Sequence, residues 1–199
     1  MFLKPKLNKI KIAYIISRIF DPIILLLPLG IVSIFSHHVD GYNRLFWAFI
    51  LVIFLGILPI ITVWLGLKKG KISDIDFTDR HQRTPYIVAI IFYWFLAVIL
   101  IWSLSGPDFI LRLIIAAITI GLIVMSINFF WKISNHSLII TASSFFVNML
   151  YDWKFVWIFI LIPVVCWSRL IQKKHTVLQL FGGVMLGILF FLIMRWFGY

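Results

Sequence analysis

Five apolar runs, each about as long as the roughly 20 residues a helix needs to cross membrane hydrocarbon, dominate this chain. They cover residues 19–36, 45–67, 86–105, 109–131 and 176–197, separated by charges and by clusters of Gly, Pro and Asp. In lipid every backbone N–H and C=O must find its partner within the protein, so runs of this length fold as spanning helices. A membrane β-barrel is excluded, because its strands alternate apolar and polar residues over only about ten positions. With 63% of residues hydrophobic and 13% charged, a disordered chain is excluded too. The expected fold is all-α: a polytopic transmembrane helical bundle forming a single integral membrane domain over 1–199, with a basic N-terminal flank at 1–18.

A sixth apolar stretch, between His136 and Trp167, is interrupted at Tyr151-Asp152-Trp153-Lys154 and reads as a hairpin of two short helices. With it the bundle has about six crossings. Its roughly 31 residues give about 46 Å of helix, short of the ~60 Å that two complete crossings require. The open end of the hairpin is therefore expected below the membrane surface, in a protein-lined recess where irregular backbone is tolerated.

Charge orients the bundle. The chain has 18 Lys and Arg against 7 Asp and no Glu, a formal charge of +11. Alternating along the crossings puts residues 1–18, 68–85, 132–136 and 168–175 on one face, which carries 14 of the 18 cations. The positive-inside rule places that face in the cytoplasm. The expected partners are membrane lipids and an anionic substrate, with no nucleic acid. The one cysteine, Cys166, lies inside an apolar run, so no intramolecular disulfide forms.

Three loops on the basic face carry groups suited to an anion. The first runs from Asp76 to Pro85 and holds Arg80 and Arg83 at i,i+3, where a helical turn projects them together and paired guanidinium forks fit phosphate oxygens. The second is Ser134-Asn135-His136-Ser137, where a helix begins. Ser134 or Asn135 can cap that helix, whose unpaired N–H groups and partial positive charge favour a bound anion. His136 beside the cap is an ionisable group at membrane depth, a functional candidate by default. The third loop is Ser168-Arg169, then His175, with Gln179 one turn further on, where its amide shares a face with the imidazole. Gly183 and Gly187 continue that face as a small-xxx-small pair that lets helices approach closely.

Two histidines, three arginines and a helix N-terminus, without paired carboxylates or a Cys/His cage, equip a site for phosphoryl transfer with no metal and no cofactor. One imidazole serves as nucleophile, the second protonates the leaving oxygen, and cations stabilise the equatorial oxygens. A serine-hydrolase reading fails for want of a nucleophile elbow and a triad acid.

In these loops the sequence resembles the type 2 phosphatidic acid phosphatase (PAP2) superfamily of membrane lipid phosphatases, recognised by K-x6-R-P, P-S-G-H and S-R-x5-H-x3-D. Ser168-Arg169-x5-His175 matches the third pattern up to its last residue, Ser134-x-His136 matches the second in part, and Arg83 with Pro85 resembles the first with one residue inserted. The resemblance covers about residues 68–190. It implies that His175 attacks phosphorus to form a phosphohistidine and that His136 is general acid to the leaving alcohol. Arg83, Arg169, Ser134 and the Asn135 backbone would hold the phosphate of a lipid phosphate or isoprenoid diphosphate. The departures are specific. Asp76 stands where the family has lysine, with Arg80 as the replacement cation; Asn135 replaces the glycine; Gln179 replaces the aspartate that orients the nucleophile. An amide oxygen can fix the imidazole tautomer but cannot stabilise positive charge as a carboxylate does. The alternative is thus a catalytically weakened or inactive lipid-phosphate-binding protein.

Asp76…Asp79-Arg80-x2-Arg83-Thr84-Pro85 also looks like the Asp-rich loop of UbiA-type intramembrane prenyltransferases, whose carboxylates hold Mg²⁺ against a diphosphate. That family needs a second Asp-rich loop, and here only Asp108 and Asp152 follow, on the opposite face.

Overall fold

Helix covers all of the apolar runs. The computed structural model describes residues 4–77, 79 and 81–199, with backbone alone for residues 4–7 and 37. The elements are α1 (Lys4–Ile19), α2 (Pro22–Ile34), α3 (Arg44–Lys68), α4 (Thr84–Ser103), α5 (Asp108–Asn128), α6 (Asn135–Leu150), α7 (Leu161–Ile171) and α8 (Val177–Trp196). No strand occurs among the described residues.

Four of these, α3, α4, α5 and α8, are long and apolar enough to cross a membrane. The run expected to span at 19–36 is broken. Asp21 accepts from the Ile23 N–H at 3.1 Å through its side chain and from Leu25 at 2.9 Å through its carbonyl, so it caps a new helix at Pro22. Proline is favoured at that first position because its missing N–H would have had no partner there. The resulting α2 has 13 residues, with Pro28 inside it, and reaches roughly 20 Å, short of the ~30 Å of hydrocarbon. A fifth span exists only if Asn8–Ile19 and Pro22–Ile34 count as one broken crossing. Most of the basic flank is α1, a helix that packs against α7.

The chain divides into two compact units. One combines the N-terminal segment up to Leu25 with Ile133–Leu192; the other comprises Leu26–Lys132 and Ile193–Tyr199.

In the first unit α6 is the central helix. It is 16 residues long, about 24 Å, and buries small and polar residues along its length, including Ser137, Thr141, Ser144 and Asn148. Ser143 and Ser144 return their hydroxyls to carbonyls one turn back, at 2.6 and 2.7 Å, which satisfies them without a neighbouring helix. The hairpin turn follows, with Asp152 and Trp153 both left-handed at φ 51° and 61°. Such backbone is costly for side-chain-bearing residues. Asn148 stabilises it: its amide donates to the carbonyls of Ser144 at 2.9 Å and Phe155 at 3.1 Å, and its Oδ1 accepts from the Phe155 N–H at 3.1 Å. A 3-10 turn, Val156–Ile160, then leads into α7. The hairpin of two short helices is as the sequence predicts.

In the second unit α4 packs along α5, and α3 along α4. A π-helical stretch at Val52–Ile57 widens α3 where Gly56 lies against Leu27. The Thr62 and Tyr93 hydroxyls meet at 2.8 Å, and Asn128 donates to Thr84 at 3.1 Å.

Candidate active site

The site in the first unit is assembled from three helix ends. At the start of α6, Ser134 is the N-cap, its hydroxyl accepting from the Ser137 N–H at 3.4 Å. Of the two capping candidates the serine is the one used. The first-turn N–H groups of α6 have no intrahelical carbonyl and gather positive potential at Asn135 and His136. Ser134 and His136 are both buried. Asn135 Oδ1 is buried too and has no hydrogen-bond partner among the described residues.

The second end is the C-terminus of α7. Arg169, in its last turn, is the largest fully buried side chain of the described residues. The helix stops through a left-handed residue, Lys173 at φ 54°, with the Lys174 N–H returning to the Arg169 carbonyl at 3.1 Å and Lys173 to Leu170 at 2.9 Å. This six-to-one closure is the Schellman arrangement. It gives the S-R-x5-H spacing its physical meaning, because the five intervening residues are the helix's last turn and its reversal, and His175 emerges directly beyond them.

The third end is the start of α8. Gln179 Oε1 accepts from the Thr176 N–H at 3.1 Å, and the Thr176 hydroxyl accepts from the Gln179 N–H at 3.4 Å. The pair is a capping box, Thr-x-x-Gln, a signal present in the sequence but masked there by the interest of Gln179 as a histidine partner. Both functions are filled at once: the same Oε1 lies 3.3 Å from His175 Nδ1. A backbone N–H only donates, so the amide atom facing Thr176 is the oxygen, and His175 Nδ1 must donate to it. In the neutral imidazole the proton therefore sits on Nδ1 and the lone pair on Nε2.

The first and third ends are joined directly. Ser134 N–H donates to the Gln179 carbonyl at 3.3 Å, and the Ser137 hydroxyl donates to the carbonyls of Ser134 at 3.1 Å and Leu180 at 3.0 Å. Gly183 and Gly187 make this possible. A Cβ on Gly183 would fall onto Ser137 Oγ and the Ser134 carbonyl oxygen, and one on Gly187 would lie 2.6 Å from Thr141 Cβ and 2.7 Å from the Leu138 carbonyl oxygen.

One participant was not anticipated. Ser17, fully buried near the end of α1, has its hydroxyl 3.3 Å from His136 Nε2, and it accepts from the Arg169 guanidinium. No signal in the sequence marked it, because a lone serine in a helix has no motif and its partners lie more than a hundred residues away.

Of the predicted residues, Ser134, Asn135, His136, Arg169, His175 and Gln179 all belong to the first unit. Arg83 is buried at the N-cap of α4 in the second unit. Arg80 lies outside the described residues. No group of three His, Cys, Asp or Glu that could hold a metal ion occurs among the described residues.

The match that bears on identity falls on the same segment. Residues 126–199 match the family model of the PAP2 superfamily. No curated protein and no solved structure matches the chain. The PAP2 segment contains α6, α7 and α8, and with them both histidines, Arg169 and Gln179. It supports a phosphatase-type hydrolase built into a helical membrane protein. Ser17 and Arg83 lie N-terminal to it.

Proposed function

We propose that this protein is a membrane-embedded phosphatase that removes phosphate from a lipid phosphate or an isoprenoid diphosphate through a phosphohistidine, without a metal ion. The observation that carries the reading is that the PAP2-matching segment holds three buried groups suited to phosphate: His175, whose Nδ1 faces Gln179, a second histidine, His136, and Arg169. His175 Nε2 attacks phosphorus as the bond to the lipid oxygen breaks, and His136 gives that oxygen its proton. Arg169 and the first-turn N–H groups of α6 stabilise charge on the equatorial oxygens. Water then attacks phosphorus with His136 accepting its proton, the P–N bond breaks, and inorganic phosphate leaves with His175 restored.

In detergent, phosphate release from dioctanoyl phosphatidate or farnesyl diphosphate is expected to continue undiminished in EDTA. Loss of activity in EDTA, restored by Mg²⁺, would contradict the mechanism. Binding of either lipid without release would support the alternative, a lipid-phosphate-binding protein, which is favoured by one observation: Gln179, uncharged, is already engaged as a cap.

The active-site loops are proposed to face the cytoplasm, on the distribution of Lys and Arg. A cysteine placed at the exposed Lys69, in a background with Cys166 replaced, should resist an impermeant thiol reagent in intact cells and react after permeabilisation. Labelling of intact cells would reverse the orientation.

A further inference from the structure

We infer that Ser17, contributed by α1 from outside the PAP2 segment, is a positioning residue that couples the phosphate-binding arginine to the general acid; the inference rests on the phosphatase reading above. Membrane-helix serines commonly return their hydroxyl to a carbonyl one turn back, as Ser143, Ser144 and Ser168 do here. Ser17 instead directs its hydroxyl across two helix contacts, to Arg169 on α7 and His136 on α6. A guanidinium has donors only, so the Ser17 oxygen accepts from Arg169 and keeps one lone pair for His136. With Nδ1 delivering the proton to the leaving oxygen, Nε2 keeps its hydrogen and donates it to the Ser17 oxygen in the imidazolium and in the neutral imidazole alike. Both protonation states of the acid are thereby held in one orientation, tied to the cation that binds the phosphate.

The approach of α1 is fixed by a second polar contact one turn earlier. Gln172, the C-cap of α7, donates to the carbonyl of the fully buried Ala13 at 3.0 Å, and to that of Ser168 at 3.1 Å. Beyond Ser17, Arg18 and Asp21 pair at 3.4 Å where the helix ends. The hydroxyl is thus held at a defined depth and angle against the two side chains it links.

The test compares Ser17→Ala and Ser17→Thr with the wild type in two measurements. In steady-state hydrolysis of dioctanoyl phosphatidate, Ser17→Ala should lower kcat by about ten- to a hundredfold, the size of effect that misplacing a catalytic group produces, with KM little changed, and Ser17→Thr should recover most of the loss. In nitrogen spectra of ¹⁵N-histidine-labelled protein in detergent, the His136 Nε2 resonance should move in Ser17→Ala and return in Ser17→Thr, while the His175 resonances stay in place. The spectra read the contact whether or not the protein turns over substrate. Inactive wild-type protein would therefore overturn the phosphatase reading without deciding the role of Ser17. An unmoved His136 signal, equal kcat in Ser17→Ala, or an effect confined to KM would each overturn the positioning role.

Discussion

Alanine at position 175 is expected to reduce phosphate release by more than about four orders of magnitude, because a covalent route has no substitute for its nucleophile and only binding and electrostatic stabilisation remain. His136→Ala should cost less, about 10²–10⁴-fold, since water can replace a general acid in part. The order of the two effects is the diagnostic result. Equal, modest losses would mean that neither imidazole bonds to phosphorus. The geometry adds a finer expectation for Gln179. Its oxygen already accepts from Thr176 and faces His175 Nδ1, so Gln179→Asp, one methylene shorter, keeps an oxygen acceptor on that side and adds a negative charge beside the imidazole. Turnover should rise. A lower turnover would show that the reach of the glutamine side chain matters more than the added charge. Quenching in alkaline denaturant during turnover, where the P–N bond survives, should trap ³²P on wild-type protein and none on His175→Ala.

Gly183→Ala is expected to be the most damaging small substitution outside the reacting groups. The added carbon would meet the Ser134 carbonyl oxygen, which is backbone and cannot swing aside, as well as Ser137 Oγ. Overpacking of this kind costs about 1–3 kcal/mol, and at roughly 2–4 °C per kcal/mol for a chain of this size the detergent melting temperature should fall by several degrees. The displacement acts on the cap of α6, and therefore on His136, so activity should fall more steeply than stability. Gly187→Ala meets the Leu138 carbonyl oxygen at 2.7 Å and should destabilise similarly with a smaller effect on turnover, being one turn further from the site. Gly30→Ala is the control: its Cβ would lie 3.6 Å from the flexible end of Leu51, ordinary van der Waals contact. A melting temperature for Gly183→Ala equal to that of Gly30→Ala would refute the close α6–α8 approach.

The sequence by itself determined the class of fold and the hairpin, and it marked six candidate residues that the structure places in the first unit. Apolar length is a local property, and a helix in lipid satisfies its own hydrogen bonds, so α3, α4, α5 and α8 needed no tertiary information. The S-R-x5-H spacing was equally local, being one helix end, its left-handed reversal at Lys173 and the cap of the next helix. The break within 19–36 is local too: Asp21-Pro22 is a helix start, and hydropathy averages across it. Only the tertiary structure could decide what meets across distance. It paired Ser134 N–H with the Gln179 carbonyl, set Gly183 against that junction, and brought Ser17 from α1 between His136 and Arg169. A hydroxyl on a helix carries no sequence pattern that names its partner. The choice between bonding one's own backbone and reaching a neighbour is made by which helix packs alongside, and α1 packs on α7.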